Sequence, residues 1–176
     1  MINYFELYGL MPQFRPDSAK VKSKFYELSR RYHPDRFTLA DEAKKAEALR
    51  MAAMNNDAYK ILNSADATMA YVLQLNGLLE QEEKYNLPPA FLMEMMELNE
   101  AITEYEMDEK NESAKKNATA ALEEQMQAWN AAVAPLLTQF DNGENTQETL
   151  LKIKDFYFRR KYLLRIQQRV FTFAAH

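Results

Sequence analysis

The sequence predicts an all-α fold on three observations. Only 3 of 176 residues are Gly and 6 are Pro, too few for a fold that turns tightly every ten residues or so, which disfavours a β-sandwich or barrel. Apolar residues recur at alternating spacings of three and four over several long stretches, the period of an amphipathic helix. Turn signals are sparse and sit between those stretches. With 47% hydrophobic residues, a chain of this length can bury a core.

In chain order, Tyr4, Phe5 and Leu7 before Gly9 form a short apolar element able to close one end. Asp17 or Ser18 can N-cap a helix running to about Tyr32. Its Val21, Phe25, Leu28 and Tyr32 gather on one face, while Lys20, Lys22, Lys24, Arg30 and Arg31 occupy much of the rest. Pro34 ends it, because the residue before a proline is pushed out of the α region. A second helix is expected from near Asp41, with Met51, Met54, Ala58, Ile61 and Ala65 as its stripe. The two make a helical hairpin joined by a loop containing His33-Pro34-Asp35. Met69, Val72, Leu73 and Leu75 suggest a last short helix.

Charge then shifts. Residues 1–75 carry a net +2, residues 76–112 a net −9 and residues 113–176 a net +3. Asn76-Gly77, the acidic run behind it and the stop Leu87-Pro88-Pro89 read as a linker. The expected division is therefore 1–75, an acidic linker 76–88, and 89–176. The second module reads as three helices: Pro89 to Asp108, Ala114 to Phe140 with a bend at Pro135, and Thr146 to Phe171. Asp141-Asn142-Gly143 is the second turn. Short connections favour an up-down-up three-helix bundle, with Trp129 in its core.

Composition restricts the chemistry. Cys is absent and His numbers 2, so a disulfide framework, a thiolate zinc site or a cysteine nucleophile is excluded within this chain. No cofactor or metal is expected. The first residues lack a basic segment and a long apolar run, and no apolar run elsewhere reaches membrane-spanning length; a cytoplasmic protein that is not an enzyme is the expectation.

One helix carries apolar residues on two sides. Phe91, Met95, Leu98, Ile102 and Tyr105 form a core stripe, whereas Leu92, Met93 and Met96 fall roughly 100° to 200° away. Glu97, Glu100 and Glu104 share that second sector. An exposed apolar patch rimmed with carboxylates marks a partner site, and Met is an adaptable contact residue. The alternative is that Leu92 and Met96 pack on a neighbouring helix. On the last helix, Ile153, Phe156, Tyr157, Leu164 and Phe171 share a predicted core sector, and Phe158 points away with Leu151 and Tyr162.

The most specific feature is Tyr32-His33-Pro34-Asp35-Arg36-Phe37, following a basic helix and preceding a helix that carries Asp57-Ala58-Tyr59-Lys60-Ile61-Leu62. This constellation resembles the J-domain of DnaJ-type co-chaperones. Together with Asn3-Tyr4-Phe5-Glu6-Leu7-Tyr8-Gly9-Leu10 and Ala90-Phe91-Leu92-Met93-Glu94, it resembles the HscB family across both modules. The absence of Cys matches the bacterial form, without a tetracysteine zinc extension. Arg36 stands where many J-domains have Lys, and the charge is kept.

The resemblance implies a co-chaperone. Its J-domain would dock on an HscA-like chaperone and stimulate the ATPase, using His33, Pro34, Asp35, Lys20, Lys24, Arg30, Arg31 and Arg36. Its C-terminal bundle would deliver an IscU-like scaffold for iron–sulfur cluster assembly, using Leu92, Met93, Met96, Glu97, Glu100 and Glu104. The family pairs that patch with an aromatic on the last helix, here assigned to Phe158 with Phe156 and Tyr157 as alternatives. The residues suit such a role. Pro34 fixes the loop backbone, lowering the ordering cost of presenting His33 and Asp35, and basic residues accelerate encounter with an acidic partner. The plain alternative for each is a solvated turn and a solvated helix face. A general J-domain co-chaperone with another client is the runner-up. A nucleic-acid binder is disfavoured by the pI of about 5.4 and the acidic block. A hydrolase built on His33 and Asp35 lacks a nucleophile and an oxyanion loop.

Overall fold

The computed structural model describes residues 3–174, which form eight α-helices, one 3-10 turn and no strand. They fall into two compact units, residues 1–77 and 78–176.

In the first unit, α1 (Tyr4–Tyr8) is too short to persist alone. A capping box between Asn3 and Glu6 starts it, and Gly9, in the left-handed region at φ 64°, ends it. Phe5 and Tyr8 anchor it; both are buried. The basic helix α2 (Ser18–Arg31) is capped by Asp17, whose carboxylate accepts from the Ala19 and Lys20 amides. Helix α3 (Glu42–Leu62) is capped by Asp41 and returns alongside α2. Phe25 of α2 stacks on Tyr59 of α3 at 4.2 Å between ring centres. Helix α4 (Ala65–Leu75) closes the unit with buried Met69, Val72 and Leu73, leaving Leu75 exposed.

The α3 core stripe differs from the expected one. The buried positions are Ala48, Asn55, Ala58 and Leu62, with Met51 half-buried in the same line. Ala65 is exposed and begins α4. A search for apolar periodicity passes over Asn55 because it is polar. Its amide is fully used: Oδ1 accepts from the Tyr8 hydroxyl at 2.9 Å, and Nδ2 donates to Phe25 O and Ser29 Oγ, both at 3.0 Å. Burial, with Tyr59 adding, holds the Tyr8 phenol well above its ordinary pKa, so it remains a donor. One side chain thus ties α1, α2 and α3 together. Asn55→Ala is expected to lower the stability of this unit by about 2–3 kcal/mol, through the orphaned partners and the small cavity. Urea unfolding followed by circular dichroism measures it; an unchanged midpoint would contradict the assignment.

The second unit contains α5 (Pro89–Glu94), α6 (Met96–Met107), α7 (Glu112–Asp141) and α8 (Gln147–Ala174). The single first helix expected from sequence is broken at Met95, whose φ and ψ are −83° and −2°. Asn99 supports the break: its Nδ2 donates to Met95 O and to Tyr162 Oη on α8, each at 2.8 Å. Helix α7 continues through exposed Pro135 and packs against both α6 and α8. Trp129 is in the core as expected, donating from Nε1 to Phe156 O at 2.8 Å.

Two expectations for this unit are corrected. Residues 78–88 do not run free as a linker: Leu79 is buried, Tyr85 donates to Asp155 at 2.8 Å, and Glu83 pairs with Lys154. The burial pattern of α8 also differs from the expected one. Phe158, expected to face outward, is only 8% exposed and stacks flat on Tyr85 at 4.3 Å. Phe171, expected inside, is 65% exposed, and the buried line is Leu150, Ile153, Leu163, Ile166 and Val170. An α8 packed from two sides has no single apolar stripe, so a period alone cannot orient it.

Candidate functional site

The first site is the turn after α2. His33 is the N-cap of a 3-10 turn, Pro34–Phe37, and Pro34 takes the first position, where its missing N–H costs nothing. His33 Nδ1 accepts from the Asp35 amide at 3.3 Å, which leaves Nε2 as the ring's donor in the neutral form. The Asp35 carboxylate lies 3.5 Å from the same Nδ1 and becomes its partner only when the ring is protonated. The two side chains remain 58% and 87% exposed. The turn is therefore held by backbone constraint and its own cap, while both functional groups stay presented.

The cations sort into different roles. Lys20, Arg30 and Arg31 are exposed. Lys24 is paired with Glu27 at 2.9 Å. Arg36 reaches back to Arg30 O at 3.4 Å, covering a carbonyl at the open end of α2. Thr38 Oγ1 donates to Asp35 O at 3.4 Å. Sequence reading missed two features beside the turn. Tyr26 is exposed on α2 between the basic residues. A cavity of about 250 Å³ lies between Tyr32, Pro34, Phe37, Ala48 and Leu49. The signal for the cavity was present in Phe37 and Leu49, apolar residues lying off the core lines.

The second site lies on α5 and α6. Phe91, Met95, Leu98, Ile102 and Tyr105 are all buried, as the stripe requires. Leu92, Met93 and Met96 are 43%, 70% and 56% exposed, so the second apolar sector stays open to solvent. Glu97, Glu100 and Glu104 are exposed beside them. Phe158 does not join this surface, being covered by Tyr85. Phe156 and Tyr157 are half-buried; the Phe156 ring lies under Arg159 and the Tyr157 ring under Lys161. Among the described residues no group of three or more His, Asp or Glu is arranged to hold a metal, and no helix is long and apolar enough to cross a membrane.

Comparison with known proteins agrees with both units. The family model described as the HSCB C-terminal oligomerisation domain matches residues 87–170. The co-chaperone protein HscB homolog of Vibrio vulnificus is 42% identical over 114 residues, spanning 64% of this chain and 67% of that protein. The chaperone HscB from Vibrio cholerae has a similar structure, with a TM-score of 0.63 and 30% identity, over 96% of this chain and 99% of that one. Human co-chaperone HscB superposes with a TM-score of 0.76 and 26% identity, over 97% of this chain and 81% of that one. The chain belongs to the HscB family of J-domain co-chaperones.

Proposed function

We propose that this chain stimulates the ATPase of an HscA-like chaperone through its J-domain and delivers an IscU-like scaffold to it for iron–sulfur cluster assembly and transfer. The observation that carries the reading is the turn after α2. There His33 and Asp35 are exposed on a backbone fixed by Pro34 and by the Nδ1 cap, at the end of a helix with exposed Arg30 and Arg31. A partner that carries its own ATPase machinery needs only differential contacts with one of its conformations to change its turnover. The exposed Leu92, Met93 and Met96, rimmed by Glu97, Glu100 and Glu104, support a second, apolar contact with a client.

The test is a steady-state assay of the HscA-like chaperone from the same organism. Adding the purified chain is expected to raise ATP turnover, and adding the scaffold with it to raise turnover further. No stimulation at saturating chain would refute the reading. Stimulation of a general chaperone but not of the HscA-like one would favour a J-domain co-chaperone with another client.

A further inference from the structure

A groove of about 300 Å³ runs between the segment 78–88 and α8, lined by Glu83, Lys84, Tyr85, Leu87, Phe158, Lys161 and Arg165. Its floor is apolar, the stacked rings of Tyr85 and Phe158. Its rims are cationic. Lys84, Lys161 and Arg165 are exposed, and among the described residues none is paired with a carboxylate. Lys161 Nζ lies 5.8 Å from the Phe158 ring centre, and the Arg165 guanidinium 5.9 Å from that of Tyr162.

Two of the negative groups nearby are already committed. Glu83 is paired with Lys154, whose hydrogen bond holds its carboxyl below the usual range. Asp155 is bound by Arg159 at 2.6 Å and accepts from Tyr85. Burial, reinforced by that bond, pushes the Tyr85 phenol up to about 12, so the floor stays neutral. Lys161 and Arg165 are one helical turn apart, a repulsive arrangement that an external anion relieves.

The groove is linked to the helices that carry the apolar patch through Tyr162, whose ring the Arg165 guanidinium approaches. Tyr162 meets α6 through Asn99 and stands edge-on to Phe91 at 5.6 Å. Met96 is three residues before Asn99 and so lies on the same side of α6. We infer that this groove takes an acidic, extended peptide segment of the protein that covers Leu92, Met93 and Met96, its carboxylates meeting Lys84, Lys161 and Arg165. The inference rests on the scaffold-binding reading above. A polyphosphate strand fits less well, because it has no apolar group with which to cover the exposed Leu92, Met93 and Met96. The surface is thus bipolar: carboxylates flank the patch on α6 and cations flank it on α8, which fixes the direction in which a partner lies.

The test titrates the cognate IscU-like scaffold calorimetrically into the full chain carrying Lys161→Glu and Arg165→Glu. Affinity is expected to fall about tenfold, with a weaker dependence on salt. Circular dichroism and stimulation of the chaperone by the chain alone should be unchanged. If affinity and salt dependence hold while Leu92→Ala with Met96→Ala weakens the complex, the groove assignment falls and the scaffold reading stands. If neither pair weakens it, both fall. A salt-sensitive dimer of the free chain, abolished by the charge reversals, would give the groove to a second copy and overturn the inference. So would binding of a single-stranded oligonucleotide lost in the same variant.

Discussion

Replacing His33 with Gln is expected to reduce stimulation of the chaperone ATPase by about tenfold or more, the scale of a coupling free energy of 1–3 kcal/mol. Gln keeps polarity and similar reach, but it changes two things. It cannot place a ring acceptor over the Asp35 amide, now bonded at 3.3 Å, and it removes the ring donor at Nε2. His33 is 58% exposed, so melting temperature should move little. The measurement is steady-state ATP turnover over a titration of the variant. A raised half-maximal concentration with full amplitude would assign His33 to docking alone. A collapsed amplitude is expected, because a contact made only in one chaperone conformation sets the extent of the shift. Stimulation equal to wild type would remove the turn from the mechanism.

The second large effect is expected on the other unit. Leu92→Ala, Met93→Ala and Met96→Ala together should weaken scaffold binding by about 100-fold, close to 3 kcal/mol, since apolar anchors near the centre of a contact dominate its energy. The same residues are 43%, 70% and 56% exposed in the free chain, so their truncation leaves no internal cavity and folding should be preserved. Calorimetric titration reads the affinity. Stimulation by the chain alone should be unaffected. An unchanged dissociation constant would refute the patch assignment.

The geometry of the turn and the exposure of the patch were legible in sequence for different reasons. Proline fixes a backbone locally, so the turn at 33–35 and the end of α2 follow from residues next to one another. The patch followed from one helix: once Phe91, Met95, Leu98, Ile102 and Tyr105 define the buried line, Leu92, Met93 and Met96 have nowhere to go but outward. What the sequence hid is what tertiary packing decides. Asn55 is polar by composition and core by virtue of three partners. Phe158 is inside because Tyr85, more than seventy residues earlier, lies on it. Met95 breaks its helix with neither Pro nor Gly present, where Asn99 bonds it to α8 through Tyr162. The acidic run 76–88 looked like a linker because charge is a property of sequence, whereas its buried Leu79 and paired Glu83 are properties of the fold.

The central claim is that one chain joins two partners, so the two sites must be on the same molecule. Mixing the His33→Gln variant with the Leu92→Ala, Met93→Ala, Met96→Ala variant tests this directly. Each retains the site the other lacks. In a steady-state ATPase assay with chaperone and scaffold present, wild-type chain should give the full combined stimulation. The mixture should give no more than the triple variant produces alone, since neither molecule carries scaffold and chaperone contact together. Recovery of wild-type stimulation by the mixture would contradict the account.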